Sequence, residues 1–194
     1  MSIASLKNVS VHFGTDTILD QVEFNIAKGE RVCLTGRNGS GKSTLMRLLC
    51  GEVLADEGNI WREKALSFST LEQDLPAGDD TTIFAAVASA FSEAGELLAE
   101  YAQVSMGTFD DSTLDRMAQL QTQIEAIDGW VLHHRVESVL QRMKLPPDEK
   151  LINLSGGWLK RVAIDKSLVT EPDVWLLDEP TNHLDIPTIE WLQE

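Results

Sequence analysis

The clearest chemistry in this sequence lies in a short segment, GRNGSGKS, that runs from Gly36 to Ser43. Its glycines, lysine and serine have the spacing of a phosphate-binding loop, in which backbone N–H groups turn toward phosphate oxygens. In such a loop Lys42 reaches the β- and γ-phosphates and also serves catalysis, while the Ser43 hydroxyl binds Mg²⁺. The alternative, a chance glycine turn, leaves the strand pattern before the loop and the helix pattern after it unexplained. The predicted nucleotide-binding residues here are Gly36, Arg37, Asn38, Gly39, Ser40, Gly41, Lys42, Ser43 and Thr44.

An acidic pair, Asp178 and Glu179, follows the apolar run Val174 to Leu177. Carboxylates at the end of a buried strand can hold Mg²⁺ and polarise an attacking water molecule. We expect Asp178 to bind the metal, directly or through water, and Glu179 to act as the general base. Such a pair is common by itself, and it is the phosphate-binding loop upstream that favours the functional interpretation.

A second glycine-rich segment, LSGGW, precedes a predicted helix. Ser155, Gly156 and Gly157 at a helix start form another backbone nest that can face an anion. The alternative is an ordinary N-cap followed by a flexible turn. Two phosphate nests in one domain make sense if the second faces a nucleotide bound to a partner domain.

The elements that must position these segments begin with strands. Residues 3–35 contain three predicted strands, and the last of them, Arg31 to Thr35, leads directly into the phosphate-binding loop. A helix follows from about Leu45, and residues 59–61 and 65–69 have the pattern of further strands. Strand, glycine loop and helix in this order open a nucleotide-binding α/β domain.

Residues 81–145 have a helical pattern instead. Apolar residues recur at steps of three or four in successive stretches, which predicts helices with one apolar stripe each. Ser112 and Asp115 have the spacing of a capping box and predict where the second long helix begins. We therefore predict a helical insertion, packed as a bundle or hairpin, between core segments at residues 1–80 and 146–194.

The bulk composition narrows the possible partners. The net charge of −15 disfavours autonomous binding to a phosphate backbone. No apolar run has the length of a membrane span, and the first residues lack the layout of a secretory signal. We expect a cytoplasmic protein that contacts no membrane.

Taken in order, GRNGSGKS, LSGG and WLLDEPTNHLD resemble ATP-binding cassette (ABC) domains, and the resemblance covers almost the whole chain. It implies an α/β fold, with a P-loop NTPase core of the ABC ATPase type, an N-terminal antiparallel β subdomain and an inserted α-helical arm. It also implies two cassettes stacked head to tail on MgATP, each ATP lying between the phosphate-binding loop of one and the LSGG segment of the other.

Two further site residues come from this resemblance. Gln73 resembles the glutamine of the family's Q-loop, which contacts the metal and the attacking water. Phe13 stands where an aromatic side chain stacks on adenine, although a core aromatic is the open alternative. The resemblance thus adds Gln73 to the catalytic and metal-binding sets and Phe13 to the nucleotide-binding set.

More narrowly, the LEQD segment around Gln73, the long insertion and the unbroken DEPTNHLD resemble the ABC-F class. Its members carry two cassettes in one polypeptide and no membrane domain. The LSGGW segment, with Trp158 where most cassettes have glutamine, resembles the first cassette of the Uup-like subgroup. This implies an ATPase that acts on the ribosome or on branched DNA. Two alternatives stay open: the motor subunit of an ABC transporter, and a clamp cassette that binds ATP while its partner hydrolyses it.

Two expectations qualify this function. No histidine stands where the family has its switch histidine, so the resemblance implies a truncated piece that hydrolyses ATP slowly without its second cassette. Between Thr81 and Val139, acidic residues far outnumber the two basic ones, Arg116 and Arg135. ABC-F arms touch ribosomal components in many members, but this charge predicts only weak direct contact with nucleic acid.

Overall fold

The computed structural model describes residues 1–71, 80–108 and 110–178. The chain divides into two compact units, Met1–Phe68 and Ser69–Glu194. The domain boundaries drawn from the sequence, after residues 80 and 145, stay predictions.

The first unit is built on a three-stranded antiparallel sheet. Strands β1 (Ser2–Phe13) and β2 (Asp16–Ala27) form a hairpin, and β3 (Glu57–Arg62) pairs with the other edge of β1, so the order is β2-β1-β3. Alternation buries Ala4 and Leu6 of β1, and after a register shift between Leu6 and Val9 it buries Val9 and Val11. Helix α1 (Lys42–Cys50) turns Leu45, Leu48 and Leu49 inward. The first two strands therefore form as the sequence pattern predicts.

The predicted strand over Arg31 to Thr35 is wrong. No strand is assigned to it, and the Val32 and Cys33 side chains are exposed. An apolar run becomes a strand only when a neighbour satisfies its backbone groups. Within residues 1–71, 80–108 and 110–178, no strand pairs with this segment.

The second unit is mostly helical. Among its described residues, five α-helices precede the strand β5, which forms a two-stranded sheet with β4. In chain order these elements are β4 (Phe68–Thr70), α2 (Ile83–Ala88), α3 (Glu93–Ser105), α4 (Asp111–Ala126), α5 (Gly129–Arg142), α6 (Gly156–Leu168) and β5 (Val174–Leu176).

The two ends of the helical segment lie side by side. Thr82 and Lys150 form a β-bridge, the Ile83 N–H donates to the Glu149 carbonyl at 2.8 Å, and the Leu151 N–H donates to the Thr81 carbonyl at 2.9 Å. Helices α2 to α5 therefore form a segment whose two ends are joined by backbone hydrogen bonds.

The helices of this segment share one hydrophobic core with α6. Each of them contributes fully buried apolar side chains, and burying one such side chain stabilises a fold by about 1.5–3 kcal/mol. The fully buried members include Ile83, Val87, Leu98, Ile124, Val136, Val162 and Ile164. The apolar stripes predicted from the sequence thus meet in a bundle, which α6 completes.

The predicted cap of α4 is wrong by two residues. Helix α4 begins at Asp111, and the residue that caps it is Asp110, whose carboxylate accepts a hydrogen bond from the Thr113 N–H at 2.7 Å. The Ser112 hydroxyl donates to the same carboxylate at 2.7 Å. These hydrogen bonds lower the pKa of Asp110 to about 2, and the one from Ser112 has the largest effect. An aspartate outcompetes the serine as cap because its full charge faces the helix N-terminus.

Asp165 is the exception in the core of the second unit. Its side chain has no exposed surface, and neither carboxyl oxygen has a hydrogen-bond partner among the described residues. Burial raises the pKa of Asp165 to about 8, and the positive charge of Arg142 on α5 opposes that rise. Because an unpaired buried carboxylate is costly, the folded chain keeps this carboxyl protonated at neutral pH.

This burial predicts a pH-dependent stability. Between the ordinary pKa of 3.8 and the folded pKa of about 8, the unfolded chain releases the Asp165 proton and the folded chain keeps it. The free energy of unfolding should therefore fall across this window, by roughly a few kcal/mol in total. Asp165→Asn should flatten the decline in urea denaturation measured at about pH 5 and about pH 9. Asp115→Asn, at an exposed position on α4, is the control, and parallel profiles for wild type and Asp165→Asn would contradict the assignment.

Candidate nucleotide-binding site

The glycine loop between residues 36 and 43 has the backbone that its sequence requires. Gly39 and Gly41 adopt the left-handed conformation, with φ of 81° and 86°. The Ser40 N–H donates to the Arg37 carbonyl at 3.1 Å, which closes the turn between these glycines and the preceding chain. Such a loop turns its N–H groups toward one side and forms a nest for an anion.

Gly41 is fixed by contact as well as by conformation. A Cβ atom added there would lie 2.9 Å from Leu19 Cδ2 and 3.0 Å from the Ile18 carbonyl oxygen, both in β2. The end of the loop is therefore pressed against the antiparallel sheet, and any side chain would force the two apart. Positive φ and close approach together restrict this position to glycine.

Helix α1 begins directly after this contact. Its first turn carries no acidic side chain, so its positive end and first N–H groups remain suited to an anion. The Lys42 ammonium group donates to the carbonyls of Gly36 and Arg37, at 3.0 and 3.1 Å, and so lies within the loop. Ser43 is exposed in the first turn of the helix.

The other end of α1 is held by an arginine. Arg62 of β3 donates from Nε to the Leu49 carbonyl at 2.7 Å and from Nη2 to the Leu48 carbonyl at 2.6 Å. These carbonyls lie in the last turn, where a helix lacks internal donors and carries partial negative charge. Gly51, with φ of 84°, ends the helix, and its N–H donates to the Leu48 carbonyl. Sequence reasoning missed Arg62, because no local pattern indicates a hydrogen bond from a strand to a distant helix end.

Phe13 ends β1 at the hairpin turn. Its side chain is 51% exposed, which does not fit the alternative of a core aromatic. An exposed ring can stack on a flat ligand, and its role toward adenine stays a prediction.

The second glycine-rich segment forms the start of α6. Ser155 is the N-cap residue and is exposed, and helical residues begin at Gly156. A Cβ added at Gly156 would meet no atom of the described residues within 4 Å. Trp158 lies one turn further, with the Arg161 guanidinium 5.5 Å from its ring centre. The cation and the ring attract each other, which keeps the Trp158 side chain on the helix surface.

The far end of α6 is connected to strand β5. The Trp175 indole N–H donates to the Ser167 hydroxyl at 2.9 Å, and this hydroxyl donates to the Ile164 carbonyl at 2.7 Å. Asp178 follows β5 by two residues and is half-buried. One helix, α6, thus links the LSGG segment to the strand that leads to Asp178. Glu179 and Gln73 lie outside the described residues.

The donor set fits a magnesium-bound nucleoside triphosphate. Helix N–H groups, an ammonium group and a left-handed glycine turn suit phosphate oxygens, and hydroxyl and carboxylate oxygens suit Mg²⁺. The loop of the first unit carries the former together with the Ser43 hydroxyl. These features define a P-loop nucleotide-binding protein.

Comparison with known proteins gives the family. The family model described as "ABC transporter" matches residues 19–182. The chain therefore belongs to this family, as an ATP-binding cassette. None of the helices described for residues 1–178 is both long and apolar enough to cross a membrane.

The chain is similar to curated proteins that are much longer than itself. The chain is 44% identical to the ATP-binding protein Uup of Haemophilus influenzae, over all of this chain and 30% of that protein. It is 33% identical to the energy-dependent translational throttle protein EttA of Mycobacterium tuberculosis, over 99% of this chain and 35% of that protein. The chain thus spans about a third of the length of these relatives.

Solved structures show the same fold. An ATP-binding cassette of an ABC transporter in its ADP conformation matches with a TM-score of 0.70 and 23% identity, over 99% of this chain and 74% of that one. A nucleotide-free cassette matches with a TM-score of 0.67 and 24% identity, over 98% and 73%. The predicted α/β cassette fold, with its antiparallel β subdomain and helical region, is confirmed.

The hydrogen bonds of Arg62 predict a mutational effect on the first unit. Arg62→Met keeps most of the apolar stem but removes both donors to the Leu48 and Leu49 carbonyls. We expect a loss of roughly 2 kcal/mol in stability, because two helix carbonyls lose charged partners. ATP affinity should fall with it, as the loop loses its support. Thermal unfolding and fluorescent-nucleotide titration measure the two effects, with Lys64→Met, at an exposed position after β3, as control. Unchanged stability would contradict the supporting role.

Proposed function

We propose that this chain is the ATP-binding and ATP-hydrolysing cassette of an ABC-F protein, which closes head to tail with a second cassette around MgATP. The observation that carries the proposal is the glycine loop, fixed on the sheet at Gly41 and continued by a helix whose first turn carries no acidic side chain. Identity to Uup and to EttA supports the ABC-F assignment.

Within the phosphate-binding loop, each group has a distinct task. The backbone N–H groups from Gly39 to Thr44 bind phosphate oxygens, and the Lys42 ammonium moves from the loop carbonyls to the β- and γ-phosphates. The Ser43 hydroxyl and the Asp178 carboxylate hold Mg²⁺. When bound, Mg²⁺ neutralises charge on the phosphates and orients them. Phe13 stacks on the adenine ring.

The hydrolytic groups complete this set. Glu179 accepts a proton from the attacking water, and Gln73 orients that water beside the metal. Ser155, Gly156 and Gly157 face the nucleotide of the second cassette. Because these residues lie at the start of α6, and no described residue lies within 4 Å of a Cβ added at Gly156, a phosphate can approach their N–H groups closely.

The proposed role of Ser155, Gly156 and Gly157 can be tested by adding a negative charge at Gly156. Gly156→Asp should fit without strain, since Gly156 has an ordinary φ and no neighbour within 4 Å of an added Cβ. It should leave ATP binding to this chain unchanged, but should lower turnover by the two-cassette polypeptide about 100-fold, because a carboxylate then faces the partner's phosphate.

Gln141→Glu adds the same charge at an exposed position on α5 and should leave turnover near wild type. Lys42→Ala should weaken nucleotide binding itself. The shared site is ruled out if Gly156→Asp hydrolyses ATP as fast as wild type does.

We propose the ribosome or branched DNA as the target of the whole protein, as its ABC-F and Uup-like features imply. The insertion itself is poorly suited to direct contact with nucleic acid. Arg116 forms a bidentate ion pair with Glu100 at 2.6 and 2.7 Å, and Arg135 lies 3.7 Å from Glu171. These two basic side chains are thus each paired with a carboxylate on an acidic surface, which favours weak and salt-sensitive binding.

The target can be identified by trapping the closed state. Two-cassette protein carrying Glu179→Gln should bind ATP without hydrolysing it and remain on its target. Sedimentation with ribosomes and gel shift with a four-way DNA junction then compare the two candidates. We expect ATP-dependent retention on one of them, and only weak binding by this chain alone. Retention on neither contradicts the proposed target, and tight RNA binding by this chain contradicts the charge argument.

A further inference from the structure

The second unit carries a cluster of metal-ligating groups. His133, His134 and Glu137 lie together on α5, with ligand atoms all within 4.8 Å of one another. Both imidazoles approach the same carboxylate oxygen of Glu137, His133 Nδ1 at 3.5 Å and His134 Nδ1 at 3.3 Å. None of these residues has a task in nucleotide binding.

The helix brings the three groups together. Residues four apart lie one turn above each other, so Glu137 stands next to His133 on the helix surface. Residues three apart on a helix are also neighbours on its surface, so Glu137 stands next to His134 as well. The Glu137 carboxylate, one turn further along α5, therefore approaches both imidazoles.

One ligand is already held in place. The His133 ring lies 5.0 Å from the Phe84 ring and 5.7 Å from the Trp130 ring, and its side chain is only 20% exposed. The other two side chains are 79% exposed at His134 and 54% exposed at Glu137. A fixed imidazole beside two accessible ligands lowers the ordering cost of binding and lets an ion enter from solvent.

The distances suit a small divalent ion. Bonds of about 2.0–2.2 Å from a tetrahedral zinc ion place neighbouring ligand atoms about 3.3–3.5 Å apart. The two separations from Glu137, 3.5 and 3.3 Å, fall in this range. Two imidazole nitrogens with one carboxylate oxygen favour Zn²⁺, Ni²⁺ or Cu²⁺ over Mg²⁺ and Ca²⁺, which prefer oxygen ligands.

We propose that His133, His134 and Glu137 bind one divalent transition-metal ion of the zinc class, with water completing the coordination. Such an ion links two adjacent turns of α5 and stabilises the helix that packs on α2, α3, α4 and α6. This site is independent of Mg²⁺ at the nucleotide. The competing explanation is that Glu137 only forms ion pairs with the imidazoles, and the following experiment separates the two.

The test is Zn²⁺ titration of the nucleotide-free chain by calorimetry, with thermal unfolding as a second readout. We expect one Zn²⁺ per chain and a higher unfolding temperature in its presence. His134→Gln and Glu137→Gln change exposed side chains and should preserve the fold, yet weaken Zn²⁺ binding by at least about 10-fold. His12→Gln is the matched control, since His12 also lies beside a carboxylate, 3.2 Å from Asp56 Oδ2.

Visible absorption of Co²⁺ bound in place of Zn²⁺ gives a direct signature of the ligands. An absorption band that requires both His134 and Glu137 supports the site, and so does unaltered binding by His12→Gln. Equal Zn²⁺ affinity in wild type, His134→Gln and Glu137→Gln overturns the proposal, as does the absence of any Zn²⁺-dependent shift in unfolding temperature.

Discussion

The phosphate-binding loop depends on how helix α1 is held at both ends by the antiparallel sheet. At the start, Gly41 touches Ile18 and Leu19 of β2 so closely that no side chain fits between them. At the end, Arg62 of β3 binds the carbonyls of Leu48 and Leu49. These contacts fix the N–H groups of the loop before a ligand arrives, which lowers the entropy cost of phosphate binding.

In the second unit, helix α6 has the supporting role that α1 has in the first. Its start carries the Ser155 nest, its middle packs in the core through Val162 and Ile164, and its end is hydrogen-bonded to β5 through Ser167. One helix therefore connects the segment proposed to face a partner's nucleotide with the strand that leads to Asp178. The same helix carries Asp165 in its buried face, without a hydrogen-bond partner among the described residues, so the core that supports this link includes a titratable group.

The sequence predicts what local patterns encode. The glycine loop, the first hairpin and the apolar stripes of the insertion form as expected, because φ requirements and periodicity are properties of short segments. The Arg31–Thr35 strand fails, since a strand needs a neighbour that its own residues do not specify. The α4 cap fails because Asp110 and Ser112 compete locally. Arg62 and buried Asp165 depend on tertiary contacts, whereas His133, His134 and Glu137 have helical spacing that could have indicated their cluster.

Hydrogen exchange measured with and without MgATP tests the central claim most directly, that a pre-formed loop binds phosphate through its backbone. Amides of Gly39 to Thr44 lie in the exposed loop and first turn, so they should become protected when MgATP binds. Amides in the last turn of α1, beside Arg62, should be protected already and change little. Protection confined to Gly39–Thr44 is the predicted result. Tight MgATP binding without protection there would contradict the claim.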